Sequence, residues 1–139
     1  MFKILIAEDD RELRQLFQHV LIKNGYAVTG VSNGEEAMDA IDKGYYDLII
    51  SYIMMPKMDG YALVRALRES GLTIPVMMIT AKDAFDDMRM GFISGSDDYM
   101  VKPINVNEMV LRVGALLRRA QLQRLPSRCP AGWDTQVPH

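Results

Sequence analysis

The sequence predicts an α/β fold in which helices cover both faces of one parallel sheet, and three observations support this prediction. Five short apolar runs recur along the 139 residues, separated by segments in which apolar residues have helical spacing. The runs ILIA, LIIS and VMMI lack polar alternation, as is typical of parallel strands buried on both faces. Five strand–helix units are too few for an eight-stranded barrel. We therefore expect a doubly wound, flavodoxin-like (βα)5 sheet with the strand order 2-1-3-4-5.

The five strands are predicted where β-branched residues or methionines cluster. In chain order they are Lys3–Ala7, Tyr26–Val31, Asp47–Ser51, Pro75–Thr80 and Asp97–Val101.

The helices are predicted where apolar residues lie three or four positions apart. In chain order these segments are Leu13–Leu21, Ala37–Ile41, Leu63–Leu67, Asp83–Ser94 and about Asn105–Ala120. The fourth is the least regular, because it contains Gly91, a poor helix former.

The length predicts a single domain over residues 1–120. From Gln121 to His139 the sequence has three prolines and no periodicity, which indicates an irregular linker, the start of a truncated neighbour or a vector-derived tail. Cys129 in this segment is the only cysteine, so neither an internal disulfide nor zinc chemistry is indicated.

Composition excludes several classes of protein. The net charge of −2 comes from interspersed charges of both signs, which argues against direct nucleic-acid binding by this segment. No apolar run approaches the roughly 18 residues of a membrane helix. The N-terminus turns acidic too early for a signal peptide. We therefore expect a cytoplasmic protein that does not bind membranes.

Polar residues stand where four of the predicted strands end. They are Glu8-Asp9-Asp10 after the first strand, Ser51-Tyr52 at the third, Thr80 at the fourth and Lys102-Pro103 at the fifth. Because the carboxyl ends of parallel strands line one crevice, we expect these residues to be neighbours.

Each of these residues also has a purely structural interpretation. Asp9 with Glu12 fits a helix capping box, Thr80 could cap a helix, and Lys102 is by default a solvated lysine. Their conjunction favours function, because two acids, a hydroxyl and an amine are the groups that magnesium-assisted phosphoryl chemistry uses.

From Phe2 to about Ala120 the chain resembles the receiver domains of bacterial two-component response regulators. The motifs ILIAEDD, IMMPKMDG, MMITAK and DDYMVKP occur in that family's order. The resemblance implies a Mg²⁺ site made by Glu8, Asp9 and the backbone carbonyl of Met54, which are hard oxygen ligands.

The resemblance also assigns roles to the ends of the last two strands. Thr80 would bond a phosphoryl oxygen and Lys102 would pair with its charge, while Tyr99 is similar to the aromatic switch residue that follows Thr80 inward. Lys102-Pro103 looks like the family's cis peptide, a form that proline makes accessible.

The family's phosphoryl-accepting aspartate is replaced by Tyr52, so that YIMMP stands where the pattern reads DIMMP. A phenol has a pKa of about 10, so at neutral pH it is neither a good nucleophile nor a carboxylate-like ligand. We therefore expect no phosphorylation here and weak or absent Mg²⁺ binding. The ring must fill the crevice over Glu8 and Asp9 or lean outward. Asp59, in the turn MDG, is a poor substitute acceptor.

Two explanations of the tyrosine stay open. The natural domain could carry it and act as a phosphorylation-independent pseudo-receiver, a protein-interaction module. Alternatively, a phosphorylatable parent has been altered. We favour the second, because a pocket released from phosphoryl chemistry has no physical need of the retained set Glu8, Asp9, Thr80, Tyr99 and Lys102.

Two other classes fit less well. In a flavin-binding protein of this fold, the acidic residues after the first strand would repel the flavin phosphate. A hydrolase with an aspartyl nucleophile would need a D-x-D arrangement that the first strand lacks. We therefore expect a signal-input domain and not an enzyme.

The resemblance also implies partners. They are a sensor histidine kinase and a C-terminal effector that this chain lacks. The segment from Ser94 looks most like the subclass whose C-terminal neighbour is a winged-helix DNA-binding domain. DNA would be bound only through that missing domain. A homodimer could form through the predicted fourth helix, fifth strand and fifth helix. The charged residues that could pair across it, or simply form a solvated face, are Arg89, Asp97, Asp98, Glu108, Arg112 and Arg119.

Overall fold

The computed structural model describes residues 1–80, 98–102 and 104–124. The elements in these ranges are β1 (Lys3–Ala7), α1 (Arg11–Lys23), β2 (Ala27–Val31), α2 (Gly34–Lys43), β3 (Leu48–Tyr52), α3 (Gly60–Glu69), β4 (Val76–Thr80), β5 (Asp98–Val101) and α4 (Val106–Arg124). The helix predicted at Asp83–Ser94 lies outside the described residues, so α4 is the helix predicted as the fifth.

The five strands form one sheet in the order β2-β1-β3-β4-β5, and every neighbouring pair is parallel. The predicted α/β fold and strand order are confirmed. β1 lies between β2 and β3, with Ile4 opposite Val28 on one side and Leu48 on the other. The chain therefore winds outward from β1 in both directions. Because all five strands are parallel, their carboxyl ends lie at one edge of the sheet.

Apolar side chains from the two faces of the sheet form separate cores, because successive residues of a strand point to opposite faces. One core lies under α1 and α4 and includes Ile4, Ile6, Phe17, Leu21, Leu48, Ile50, Tyr52, Met109 and Val113. The other lies under α2 and α3 and includes Leu5, Ala37, Ile49, Leu63, Val64, Leu67, Met78 and Tyr99. This double burial explains why the central strands are continuously apolar.

The first helix begins one residue later than a cap at Asp9 would require. The N-cap of α1 is Asp10, whose side chain accepts hydrogen bonds from the backbone N–H groups of Glu12 (2.9 Å) and Leu13 (3.3 Å). The alternative interpretation of Asp9 and Glu12 as a capping box is therefore wrong. Asp9 lies exposed between β1 and the cap, and capping does not explain its carboxylate.

The C-terminal helix α4 continues to Arg124, four residues beyond the boundary predicted at Ala120. Residues 125–139, including Cys129, lie outside the described residues. None of the helices in the described ranges is long and apolar enough to cross a membrane.

Candidate functional site

The structure brings the residues at four strand ends to one edge of the sheet. Glu8 follows β1 and its backbone N–H donates to the carbonyl of Val31 (3.0 Å). Tyr52 and Thr80 are the last residues of β3 and β4. Lys102 follows β5, and its backbone N–H donates to the carbonyl of Thr80 (2.8 Å). Main-chain hydrogen bonds thus hold the strand ends that carry Glu8 and Lys102.

The ring of Tyr52 points inward. Only 4% of the residue is exposed, and the ring belongs to the core under α1 and α4. It stacks on Phe17, with ring centroids 6.4 Å apart and planes inclined by 19°. Of the two orientations left open by the sequence, the ring therefore takes the one that fills the crevice.

Lys102 covers the Tyr52 ring. Its ammonium Nζ lies 4.1 Å from the ring centroid, which is well inside the cation–π range of about 6 Å. Side chains from β3 and from the end of β5 therefore meet above β4, the strand between them.

Two polar oxygen atoms in the crevice are buried. Neither the Tyr52 hydroxyl nor Oε1 of Glu8 has a hydrogen-bond partner in the part of the chain that is described. Burial and the nearby Glu8 carboxylate raise the pKa of the Tyr52 phenol far above its usual range. The phenol is therefore neutral at physiological pH, and it cannot act as a nucleophilic phenolate there.

Glu8 is also perturbed. The residue is 1% exposed, and burial, followed by the neighbouring Asp9 carboxyl group, raises its pKa to about 7, against the opposing effect of the Lys102 charge. Glu8 is therefore partly protonated at neutral pH and is a weaker cation ligand than an ordinary carboxylate.

The other two predicted metal ligands are Asp9 and the backbone carbonyl of Met54. Both residues are exposed to solvent. Within residues 1–80, 98–102 and 104–124, no group of three or more His, Cys, Asp or Glu side chains could hold a metal ion.

The residues predicted to act as a switch are both buried. Thr80 is 3% exposed and Tyr99 is 5% exposed. Tyr99 lies opposite Met78 in the sheet and packs in the core under α2 and α3. Pro103, and with it the predicted cis peptide, lies outside the described residues.

Three of the six charged residues predicted to pair between subunits pair within the chain. Arg112 Nη1 lies 2.8 Å from Asp98 Oδ1, and Nη2 lies 3.3 Å from Glu108 Oε2. Arg119 is exposed, whereas Arg89 and Asp97 are outside the described ranges. The fifth strand and the C-terminal helix are therefore linked by an ion pair within one subunit.

Two residues near the crevice were not predicted from the sequence. Phe17 supplies the ring that stacks on Tyr52, and Arg14 donates from Nη1 to the carbonyl of Glu8 (2.6 Å). Period-two alternation from Leu48 would have placed Tyr52 on the α1 face, and Phe17 is on the apolar stripe of that helix. No comparable sequence signal marks Arg14.

Another cleft lies at the opposite edge of the sheet. It has a volume of about 570 Å³ and lies among the ends of α2 and α3 and the starts of β3 and β4, with Tyr45, Leu72 and Pro75 in its wall. None of the predicted site residues lines it, so this cleft is separate from the crevice at the strand ends.

Known proteins with similar sequences share one domain family. Residues 4–114 match the family model described as "Response regulator receiver domain". The chain is 44% identical to the transcriptional regulatory protein PcoR of Escherichia coli over 88% of its length and 54% of PcoR. It is 40% identical to the alkaline phosphatase synthesis transcriptional regulatory protein PhoP of Bacillus subtilis over 86% of its length and 50% of that protein. The chain thus spans about half the length of these relatives.

Solved structures show the same similarity. A Francisella response regulator receiver domain is 35% identical, with a TM-score of 0.82 over 86% of this chain and 98% of that one. The receiver domain of a signal transduction histidine kinase from Syntrophus aciditrophicus is also 35% identical, with a TM-score of 0.82 over 94% and 99% of the two chains. The chain belongs to the response regulator receiver domain family.

Proposed function

We propose that this receiver domain is the signal-input part of a response regulator and that, in this form, it is not phosphorylated at position 52. The observation that carries the proposal is the buried, neutral Tyr52 ring in the crevice where the strand ends meet. Acyl-phosphate formation requires a carboxylate nucleophile, and Tyr52 offers none. The family roles require an aspartate at position 52. Only in such a version would Thr80 and Lys102 contact the phosphoryl group and Tyr99 act as the switch.

Magnesium binding follows the same logic. Receiver domains of this family generally use Mg²⁺ at the phosphorylation site, where Glu8, Asp9 and the Met54 carbonyl would be its ligands. We propose that Mg²⁺ binds weakly or not at all here, since Tyr52 adds no carboxylate, Glu8 is readily protonated and the Lys102 charge is close by.

Phosphotransfer to this chain and to a Tyr52→Asp variant tests the proposal. Both would be incubated with a small phosphodonor and with a histidine kinase, and intact mass would be measured by mass spectrometry. We expect a phosphoryl adduct only on the aspartate variant, which would favour an altered, phosphorylatable parent. An adduct on the unaltered chain would refute the proposal.

A pseudo-receiver that works only through protein interaction is the second candidate. It is favoured by the way the chain's own side chains, Tyr52, Phe17 and Lys102, fill the crevice. If the Tyr52→Asp variant folds and still accepts no phosphoryl group from either donor, this candidate is preferred.

The partners follow from the relatives. PcoR and PhoP are transcriptional regulatory proteins, and this chain matches about half of each. We infer a sensor histidine kinase upstream and, in the full-length protein, a DNA-binding effector of the winged-helix subclass downstream. We also infer weak dimerisation through the face that carries Asp98, Glu108 and Arg112. Monomeric sedimentation at high protein concentration would contradict the dimer.

A further inference from the structure

We propose that Tyr52 and Lys102 form an internal cation–π pair that closes the crevice to external anions. This inference goes beyond the loss of phosphorylation. A receiver that merely lacks its acceptor could still bind a free phosphate ion at the lysine. A receiver whose lysine rests on an aromatic ring would have to give up that contact first.

The geometry of the pair is favourable. Lys102 Nζ lies 4.1 Å from the centroid of Tyr52, and the electron-rich face of an aromatic ring attracts an ammonium group at this distance. The ring is almost completely buried, so water screens the attraction less than it would on an exposed surface. The phenol stays neutral, and the contact is therefore one of ring face to cation.

Phe17 acts as a positioning residue for this pair. It is 1% exposed, and its ring stacks on Tyr52, which restricts the tyrosine to its inward orientation. The backbone of Lys102 is also held, because its N–H donates to the carbonyl of Thr80. Phe17, Tyr52 and Lys102 together therefore link α1, β3 and the end of β5 without any external ligand.

Nuclear magnetic resonance of the full 139-residue chain tests the contact directly. Ring currents shift protons above an aromatic face upfield, so we expect the Lys102 ε-methylene signal upfield of that of exposed Lys23. A Lys102→Met variant assigns the signal by its loss. Tyr52→Phe should keep the shift and Tyr52→Leu should abolish it. A Lys102 signal in the unaltered chain that coincides with that of Lys23 would overturn the pairing.

Titration with inorganic phosphate, followed by the same Lys102 signal, tests the closure. We expect Tyr52→Leu to bind phosphate about tenfold more tightly than the unaltered chain, as loss of one partly buried cation–π contact allows. Tyr52→Phe should bind as weakly as the unaltered chain. Equal affinities for the leucine variant and the unaltered chain would refute the closure.

The two proposals fail separately. A phosphoryl adduct on the unaltered chain would refute the proposed function and leave the upfield shift of Lys102 intact. Absence of the shift would refute the cation–π pair and leave the phosphotransfer result unchanged.

Discussion

At position 52, a tyrosine changes the chemistry of its neighbours as well as its own. Its ring lies near the Glu8 carboxyl group, and burial is the largest cause of the raised Glu8 pKa. The same ring offers its face to Lys102. The crevice therefore contains a readily protonated carboxyl group, that of Glu8, and an ammonium group, that of Lys102, in contact with an aromatic ring.

The raised pKa of Glu8 predicts that stability depends on pH. The pKa rises from 4.5 to about 7 on folding, so the folded state binds the proton more tightly. This contribution is fully present below pH 4.5 and is lost as pH rises through 7. We expect the unaltered chain to lose up to about 3 kcal/mol between pH 5 and pH 8 relative to Glu8→Gln.

Urea unfolding of both proteins at several pH values measures this difference. The Glu8→Gln variant is the matched control, because glutamine keeps the size of the side chain but cannot titrate. A stability difference between the two proteins that stays constant from pH 5 to pH 8 would contradict the assignment.

At the scale of the elements, short polar residues set where the helices begin. Asp10, Asn33 and Asp59 are the N-caps of α1, α2 and α3, and each side chain accepts hydrogen bonds from the first turn. The Asp59 side chain thus acts as a helix cap, and that it is a poor phosphoryl acceptor stays a prediction. The caps fix how each helix leaves the edge where the crevice lies.

The cap of α1 can be tested by comparing two adjacent aspartates. Asp10→Ala should lower the free energy of unfolding by about 1 kcal/mol, because it removes the acceptor for two backbone N–H groups. Asp9→Ala should change it little. Chemical unfolding of both variants at one pH checks the difference, and an equal loss from the two substitutions would argue against a cap at Asp10.

Gly60, at the start of α3, packs against the end of β3. A Cβ atom there would lie 2.6 Å from the carbonyl oxygen of Tyr52 and 3.0 Å from Cα of Ile53. Backbone cannot move aside cheaply, so we expect Gly60→Ala to destabilise the domain by about 1–3 kcal/mol.

Gly114 in α4 is the matched control, because a Cβ atom there would meet no backbone: it would lie 3.3 Å from the end of the flexible Arg118 side chain and 3.9 Å from the Tyr26 hydroxyl. Gly114→Ala should stabilise the domain by about 0.5–1 kcal/mol through helix propensity. Thermal unfolding distinguishes the two substitutions by the opposite signs of their effects on Tm.

At the scale of the whole molecule, the two cores share the central strands. Leu21 belongs to the core under α1 and α4, and Leu67 to the core under α2 and α3. Both side chains are fully buried. Since β1, β3 and β4 contribute residues to both cores, loss of packing on one face should weaken the other.

We therefore expect Leu21→Ala and Leu67→Ala each to cost about 2–5 kcal/mol and each to shift one cooperative transition. Fluorescence and far-ultraviolet circular dichroism, recorded during urea unfolding, should give the same midpoint. Two separated transitions in either variant would show that the cores unfold independently.

Much of this molecule could be predicted from its pattern of residues. The continuous apolar runs determined a parallel sheet covered on both faces, and the polar residues after them identified the edge where Glu8, Tyr52, Thr80 and Lys102 meet. These features depend on local spacing and on the rule that parallel strands end together, so no knowledge of contacts was needed.

The tertiary structure decided the direction of the Tyr52 ring, its stacking on Phe17, the position of Lys102 above it and the cap at Asp10 instead of Asp9. Each depends on atoms that lie far apart in the chain or on a shift of one residue at a helix start. Apolar periodicity carries no information about which buried ring a lysine will cover, because packing in three dimensions sets that choice.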